Sequence, residues 1–243
     1  MVRTSARVTR LTGWVAIVGA VLGLANVALV VSLTGSDSDM VLNGATMLAL
    51  PSDGRFLFRL AMAADILGFY LPFLVIGGYI WHLFRDEAGA VGDMAVLSIS
   101  LYVAVGVVGA SMDLAILEPL AHLYAGGNEA VRSTAATAWT TIANAVQSGL
   151  WWTEGPLVLF WVLAIGGGLK RAGFGAPLLA KVIGYTFGVL TLTGFFPELA
   201  DITNLCELVV VLLLPVWMVF LGRQLLRRAA TFDQTQTSQN RAA

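Results

Sequence analysis

The sequence predicts an all-α fold: a polytopic membrane protein, built as a six-transmembrane-helix bundle with both termini inside. Three observations carry that prediction. Hydrophobic residues make up 58% of the 243-residue chain and charged residues only 12%, against about 25% charged in soluble domains. The charges are bunched between long apolar runs, and mean hydropathy is +0.81. Six of those runs reach the roughly 20 residues that cross a bilayer core of about 30 Å as helix. Their unbroken apolarity favours helices over the ten-residue alternations of a barrel.

The expected spans cover approximately 11–33, 58–84, 94–117, 138–168, 176–196 and 203–223, within a single membrane domain over 1–226. The first follows Arg3, Arg7 and Arg10, as a secretory signal would. Its apolar run is membrane-spanning in length and no small-residue cleavage site follows, so a retained helix is expected. The longest connection, about 34–57, is turn-rich at "TGSDSD" and "PSDGR", with "MVLNGATMLAL" between them as a short interfacial helix. Glycines and hydroxyls interrupt the third and fifth spans, and 118–137 reads as an outer loop. The tail 227–243 is polar, has nothing to bury and is expected to be disordered.

Lys and Arg set the orientation. An inside N-terminus leaves Arg3, Arg7, Arg10, Arg85, Lys170, Arg171, Lys181, Arg223, Arg227, Arg228 and Arg241 on the cytoplasmic side, with only Arg55, Arg59 and Arg132 outside. Eleven against three predicts both termini in the cytoplasm.

Four acids fall inside the expected spans: Asp65, Asp113, Glu154 and Glu207. Intramembrane carboxyls cost a few kcal/mol on insertion scales and normally face a bundle interior or water. Counted at 1.5 Å per residue from their helix ends, all four lie in the outer half. Four such acids with few bases near them cannot all stay ionised in a low dielectric; Arg59, above Asp65, is the candidate counter-charge. Helical spacing puts Ser98, Tyr102, Gly106, Gly109 and Asp113 on one stripe, and Asn144, Gln147, Trp151 and Glu154 on another. Asn204 is a further polar candidate beside Glu207.

Prolines accompany the acids. Pro156 has no N–H, so the Trp152 carbonyl loses its helical partner, and Gly155 lets the backbone flex there. Pro72 and Pro215 do the same for the carbonyls of Gly68 and Val211. Carboxyls beside bared carbonyls suit a proton, a cation or a small solute. The competing expectation is that the acids only organise helix packing in a membrane scaffold, partner subunit or homo-oligomer.

Other classes find little support. A net charge of −1 offers no basic field for nucleic acid. One cysteine and two histidines leave too few ligands for a multi-histidine metal centre or an intrachain disulfide, and no cofactor is expected. No GxSxG, P-loop, HExxH or GxGxxG stands in its required context, so the chain leans away from an enzyme.

Three patches resemble a known family. "LFRLAMAADILGFYLPFLVIGGYIWHLF", "GPLVLFWVLAIGGGLKRAGFGAPLLAKVIGYTFG" and "ELVVVLLLPVWMVFLGRQL" are similar to the second, fourth-to-fifth and closing helices of bacterial six-helix membrane proteins of the DUF 4386 family. The resemblance implies a multi-pass protein of the bacterial cytoplasmic (inner) membrane. It makes Arg59, Asp65 and Glu207 the shared polar positions and brings no activity.

Overall fold

A computed structural model describes residues 5–35 and 37–242; for Ser38 and 233–242 only the backbone is described. Arg3 and the side chain of Arg241, used in the charge count above, therefore lie outside the described residues. The described residues form helices without strands. In order they are α1 Ala6–Thr34, α2 Gly44–Leu48, α3 Ser52–Asp65, α4 Leu71–Ala88, α5 Ala90–Gly126, α6 Glu129–Ala145, α7 Glu154–Ala172, α8 Pro177–Thr193 and α9 Ala200–Ala242. Helices α3 and α4 join through a π turn, and α6 and α7 through a π turn and a 3₁₀ turn, so each pair makes one long rod.

The apolar runs thus become six rods, each reversing the direction of the last. Five of them are long and apolar enough to cross a membrane, and α8, at 17 residues, is shorter. They close a ring: α1 packs on α9, α9 on α8, α8 on α7, α7 and α6 on α5, and α5 on the α3–α4 rod, which returns to α1. Small residues allow the close approaches, as expected where lipid supplies no hydrophobic drive between helices. Gly13 and Gly222 meet between α1 and α9, and Gly23 meets Gly68 between α1 and the π turn of the second rod.

Two apolar clusters fill the ring. Calling the end that carries α2 the upper end, the upper cluster gathers Met47, Leu48, Phe58, Met62, Leu117 and Trp139. The larger, lower cluster is built on Phe73, Tyr102, Trp161, Phe187, Trp217 and Leu169.

Several boundaries differ from the sequence expectation. The 118–137 segment is not a loop: α5 runs to Gly126, and α6 starts at Glu129 after a break of two residues, Gly127 and Asn128. Asn128 caps α6, its side-chain oxygen accepting from Val131 N at 3.1 Å. Polar residues on either side are helix-competent, and only the Gly-Gly-Asn run breaks the ladder. The expected interfacial helix becomes a 3₁₀ turn, Ser38–Leu42, followed by the short α2, and both dock into the bundle instead of lying on its surface: Trp139 Nε1 donates to the Val41 carbonyl at 2.8 Å, and Gly44 N donates to Thr140 Oγ1 at 3.0 Å. Helix α9 continues through Ala242, where composition suggested a tail without structure. No Gly or Pro follows Gly222, so nothing local stops the helix.

Candidate functional site

The acids sit where the two apolar clusters meet, and irregular backbone places two of them. In the second rod, Asp65 ends α3 and the π turn Ile66–Tyr70 follows, with Leu71 N bonded to the Ile66 carbonyl five residues back. The extra residue resets the register so that Pro72 falls in the first turn of α4. There its missing N–H falls where the π turn has already interrupted the regular four-residue ladder. The fourth rod repeats the device. A π turn, Val146–Leu150, and a 3₁₀ turn, Trp151–Thr153, precede α7, and Pro156 lies in that helix's first turn. The kink expected at Gly155-Pro156 is therefore a helix restart directly at Glu154. Single π turns inside helices often mark functional positions.

Gly155 serves packing as well as bending. A Cβ there would overlap Thr191 Oγ1 and lie 2.8 Å from the Phe187 carbonyl oxygen, so α7 and α8 touch at this point. Pro215 differs from the other two prolines, since α9 runs through it unbroken.

Three of the four carboxyls are deeply buried: Asp65 is 8% exposed, Asp113 6% and Glu154 7%. Glu207 is half-buried. They form a row in which each acid is an electrostatic neighbour of the next, Asp113 of Asp65, Asp65 of Glu154, and Glu154 of Glu207. The row descends toward the lower cluster. Tyr102 Oη donates to the Phe69 carbonyl at 2.9 Å, which sets α5 against the second rod. Asp65 lies one turn above Phe69, and Asp113 lies about 16 Å above Tyr102 along α5 at 1.5 Å per residue. Glu154 is lowest, its helix tied to α5 by Ser98 Oγ donating to the Leu157 carbonyl at 2.8 Å.

Partners are few. The Tyr70 hydroxyl faces the Glu154 carboxyl, and Gln147 Nε2 donates to Glu207 Oε1 at 3.3 Å. Among the described residues, the buried side-chain polar atoms left without a hydrogen-bond partner are Asp113 Oδ1, Glu154 Oε1 and Trp151 Nε1. All three lie along this row. Trp151 Nε1 lies against Gly109, one turn below Asp113 on α5. Two acceptors and one donor thus stand unsatisfied along the row, each at a cost of about 1–3 kcal/mol if left dry. That is the arrangement a bound water, proton or polar ligand group completes.

The α5 stripe read from the sequence is buried from Ser98 to Asp113, and Gln147 and Glu207 meet as hydrogen-bond partners. Two candidates do not join them. Arg59 is exposed, on a face of α3 turned away from Asp65, and has no ion-pair partner among the described residues. Six residues at about 100° each carry it well round the helix from Asp65. Asn204 is likewise exposed on α9. Arg55, in the same half, is engaged: it pairs with Glu118 at 3.2 Å and donates to the Leu50 carbonyl at 2.7 Å.

Tyr70 is the site residue that sequence reasoning missed. In an unbroken helix it would point away from Asp65, and only the inserted π residue brings it round. Asn26 on α1 was also missed; its Nδ2 donates to the Ala61 carbonyl at 2.9 Å, one turn above Asp65. Among the described residues no group of three or more His, Cys, Asp or Glu side chains converges in a way that could hold a metal. The four acids are strung out along the row, and no cage forms. No protein-family model, curated protein or solved structure matches the chain.

Proposed function

We propose that this chain is a six-span protein of the bacterial cytoplasmic membrane, both termini inside, whose acid row takes up a proton or small cation coupled to a small solute. One observation carries the binding part: the buried atoms Asp113 Oδ1, Trp151 Nε1 and Glu154 Oε1, spread along the acid row, have no hydrogen-bond partner. A dry bundle gains nothing from keeping two carboxyls and an indole N–H buried without partners. The orientation rests on the Lys and Arg count, and the family on the three similar patches. Within that reading a proton is favoured over a hard metal ion, because hard cations ask for six or more oxygen ligands and the acids do not converge.

The test is proton uptake into liposomes holding the purified chain, for the native protein and for Asp65→Asn, Asp113→Asn, Glu154→Gln and Glu207→Gln. Loss of uptake in the Glu154 and Asp113 variants, at preserved thermal stability, is the expected result. The competing reading, acids as packing elements, draws on the Gln147–Glu207 hydrogen bond. Unchanged uptake with lowered stability in all four variants would establish that reading and end the first.

A further inference from the structure

The ring of rods is not closed evenly along its length. Helix α8 stops at Thr193, whose hydroxyl accepts from Thr203 Oγ1 at 2.9 Å, one turn above Glu207 on α9. Above that contact no fifth rod separates the fourth from the sixth. There α6 packs on α5 and α2, α9 packs on α1, and α6 and α9 do not pack along each other. The opening has a firm frame. At its top, Trp139 holds the 3₁₀ turn Ser38–Leu42 to α6, and that turn brings Asp39 close to Glu207. At its base, Trp152 Nε1 donates to the Thr191 carbonyl at 2.9 Å, and its ring meets Phe195 edge-on at 4.6 Å. Among the described residues, the hydrogen bond that spans the opening is Gln147 Nε2 to Glu207 Oε1, at 3.3 Å. That is longer than the usual N–H···O range of about 2.7–3.2 Å. Gln147 is carried on the π turn Val146–Leu150, where Ser148 and Gly149 are exposed and a Cβ on Gly149 would meet nothing within 4 Å. The backbone that holds the bridge thus has room to shift. From the opening the way leads to Glu154, the electrostatic neighbour of Glu207, and stops there. Below Glu154 stand Val158 and the packed rings of Phe73, Tyr102, Trp161 and Trp217, with the Tyr102 hydroxyl held by the Phe69 carbonyl.

We propose that the Gln147–Glu207 bridge is a gate, and that the opening between α6 and α9 is the one entrance through which water and protons reach the acid row. The proposal rests on the reading of the row as a proton-binding site and names its way in and its control. Glu207, half-buried, is the first acid met, and Glu154, 7% exposed with Oε1 unpartnered, is the last. Asn144 and Asn204, each three residues before one partner of the bridge, are exposed and give the entrance polar flanks. A hydrogen bond to an ionised carboxylate is about twice as strong as one to a neutral acid. A proton passed from water to Glu207 therefore loosens the bridge. Its onward transfer through water to Glu154 restores the Glu207 carboxylate and tightens the bridge again. Among the described residues, the titratable groups that face Glu207 are Asp39, Glu154 and the adjacent Cys206, none of them basic. Gln147 thus holds the gate by a bond that one proton weakens, where a lysine or arginine would hold it by charge.

The test uses the full chain carrying Cys206→Ser in lipid nanodiscs, in nitrate buffer, with the silver ion as probe. Silver is a charged thiol ligand no larger than a water molecule, so it blocks cysteines that water reaches. Blocked thiols are counted by mass spectrometry after denaturation and alkylation. Glu154→Cys reports access behind the bridge, and Val158→Cys, one turn further down, reports the sealed side. Glu154→Cys is expected to be blocked, and about tenfold faster once Gln147→Leu is added, while Val158→Cys stays free with or without it. Equal rates at Glu154→Cys with and without Gln147→Leu would overturn the gate, as would blocking of Val158→Cys as fast as of Glu154→Cys. In liposomes, Gln147→Leu should raise the rate of proton uptake several-fold. Uptake that Glu154→Gln abolishes and Gln147→Leu leaves unchanged would keep the row and remove the gate. No uptake by the native chain, with Gln147→Leu still opening the way to Glu154→Cys, would remove the proton reading and leave the gated entrance standing. Should Glu154→Cys not fold, Asp113→Cys takes its place as the reporter within the row.

Discussion

Replacing Gly155 by alanine tests how Glu154 is held. The added Cβ would overlap Thr191 Oγ1, lie 2.8 Å from the Phe187 carbonyl oxygen and 3.1 Å from Thr191 Cβ. Ordinary contacts begin at 3.4 Å, so α7 and α8 must part by several tenths of an ångström. The threonine hydroxyl cannot simply rotate away, because it is bonded to the same Phe187 carbonyl at 2.9 Å. Overpacking of this kind costs about 1–3 kcal/mol, and losing the hydroxyl bond adds about 0.5–1.5 kcal/mol. A destabilisation of about 2–4 kcal/mol is therefore expected for Gly155→Ala. Thr191→Ala removes the worst overlap and leaves the carbonyl contact, so the double variant should recover about 1–2 kcal/mol of that loss. The assay is reversible unfolding in mixed micelles, read as a double-mutant cycle. Additivity of the two substitutions within about 0.5 kcal/mol would refute the contact, and with it the placement of Gly155 against α8.

Two further perturbations follow from helix contacts. Gly68→Ala drives a Cβ into the Gly23 backbone, with Gly23 Cα 2.7 Å away and no side chain free to yield. It should destabilise by more than Gly155→Ala or abolish folding, whereas a Cβ at Gly78 meets nothing within 4 Å. Gly78→Ala should thus be neutral or stabilising by up to about 1 kcal/mol; both are measured by the same unfolding assay. Asn26→Ala removes a buried interhelical hydrogen bond of 2.9 Å to Ala61. Such bonds in membranes are worth about 0.6–1.7 kcal/mol, and a loss in that range on unfolding checks it.

What was legible in the sequence follows from properties that each residue carries alone. Apolar length and charge bunching gave the rods and their alternating direction, and single buried acids stood out because nothing in lipid solvates them. The prolines pointed to the right places, Pro72 and Pro156, for breaks in the helical ladder. The α5 stripe was readable because α5 is unbroken from Ser98 to Asp113, so spacings of three and four keep their meaning.

Rotation about a helix axis was decided elsewhere. The π turns at 66–70 and 146–150 each insert a residue, and no periodicity computed across them survives. That is why Tyr70, off the stripe by spacing, comes to face Glu154. Arg59 and Asn204 show the same limit from the other side, since composition placed them near the acids and packing turned them outward. By itself, then, the sequence determined an all-helical, membrane-suited chain with four acids in its apolar runs, because those are sums over local chemistry. Only the tertiary structure decided which faces meet, that three acids are buried in a row above an aromatic cluster, and that Asp113 Oδ1, Trp151 Nε1 and Glu154 Oε1 have no hydrogen-bond partner. Those depend on close contacts such as Gly23 with Gly68 and Gly155 with Thr191, between segments far apart in the chain.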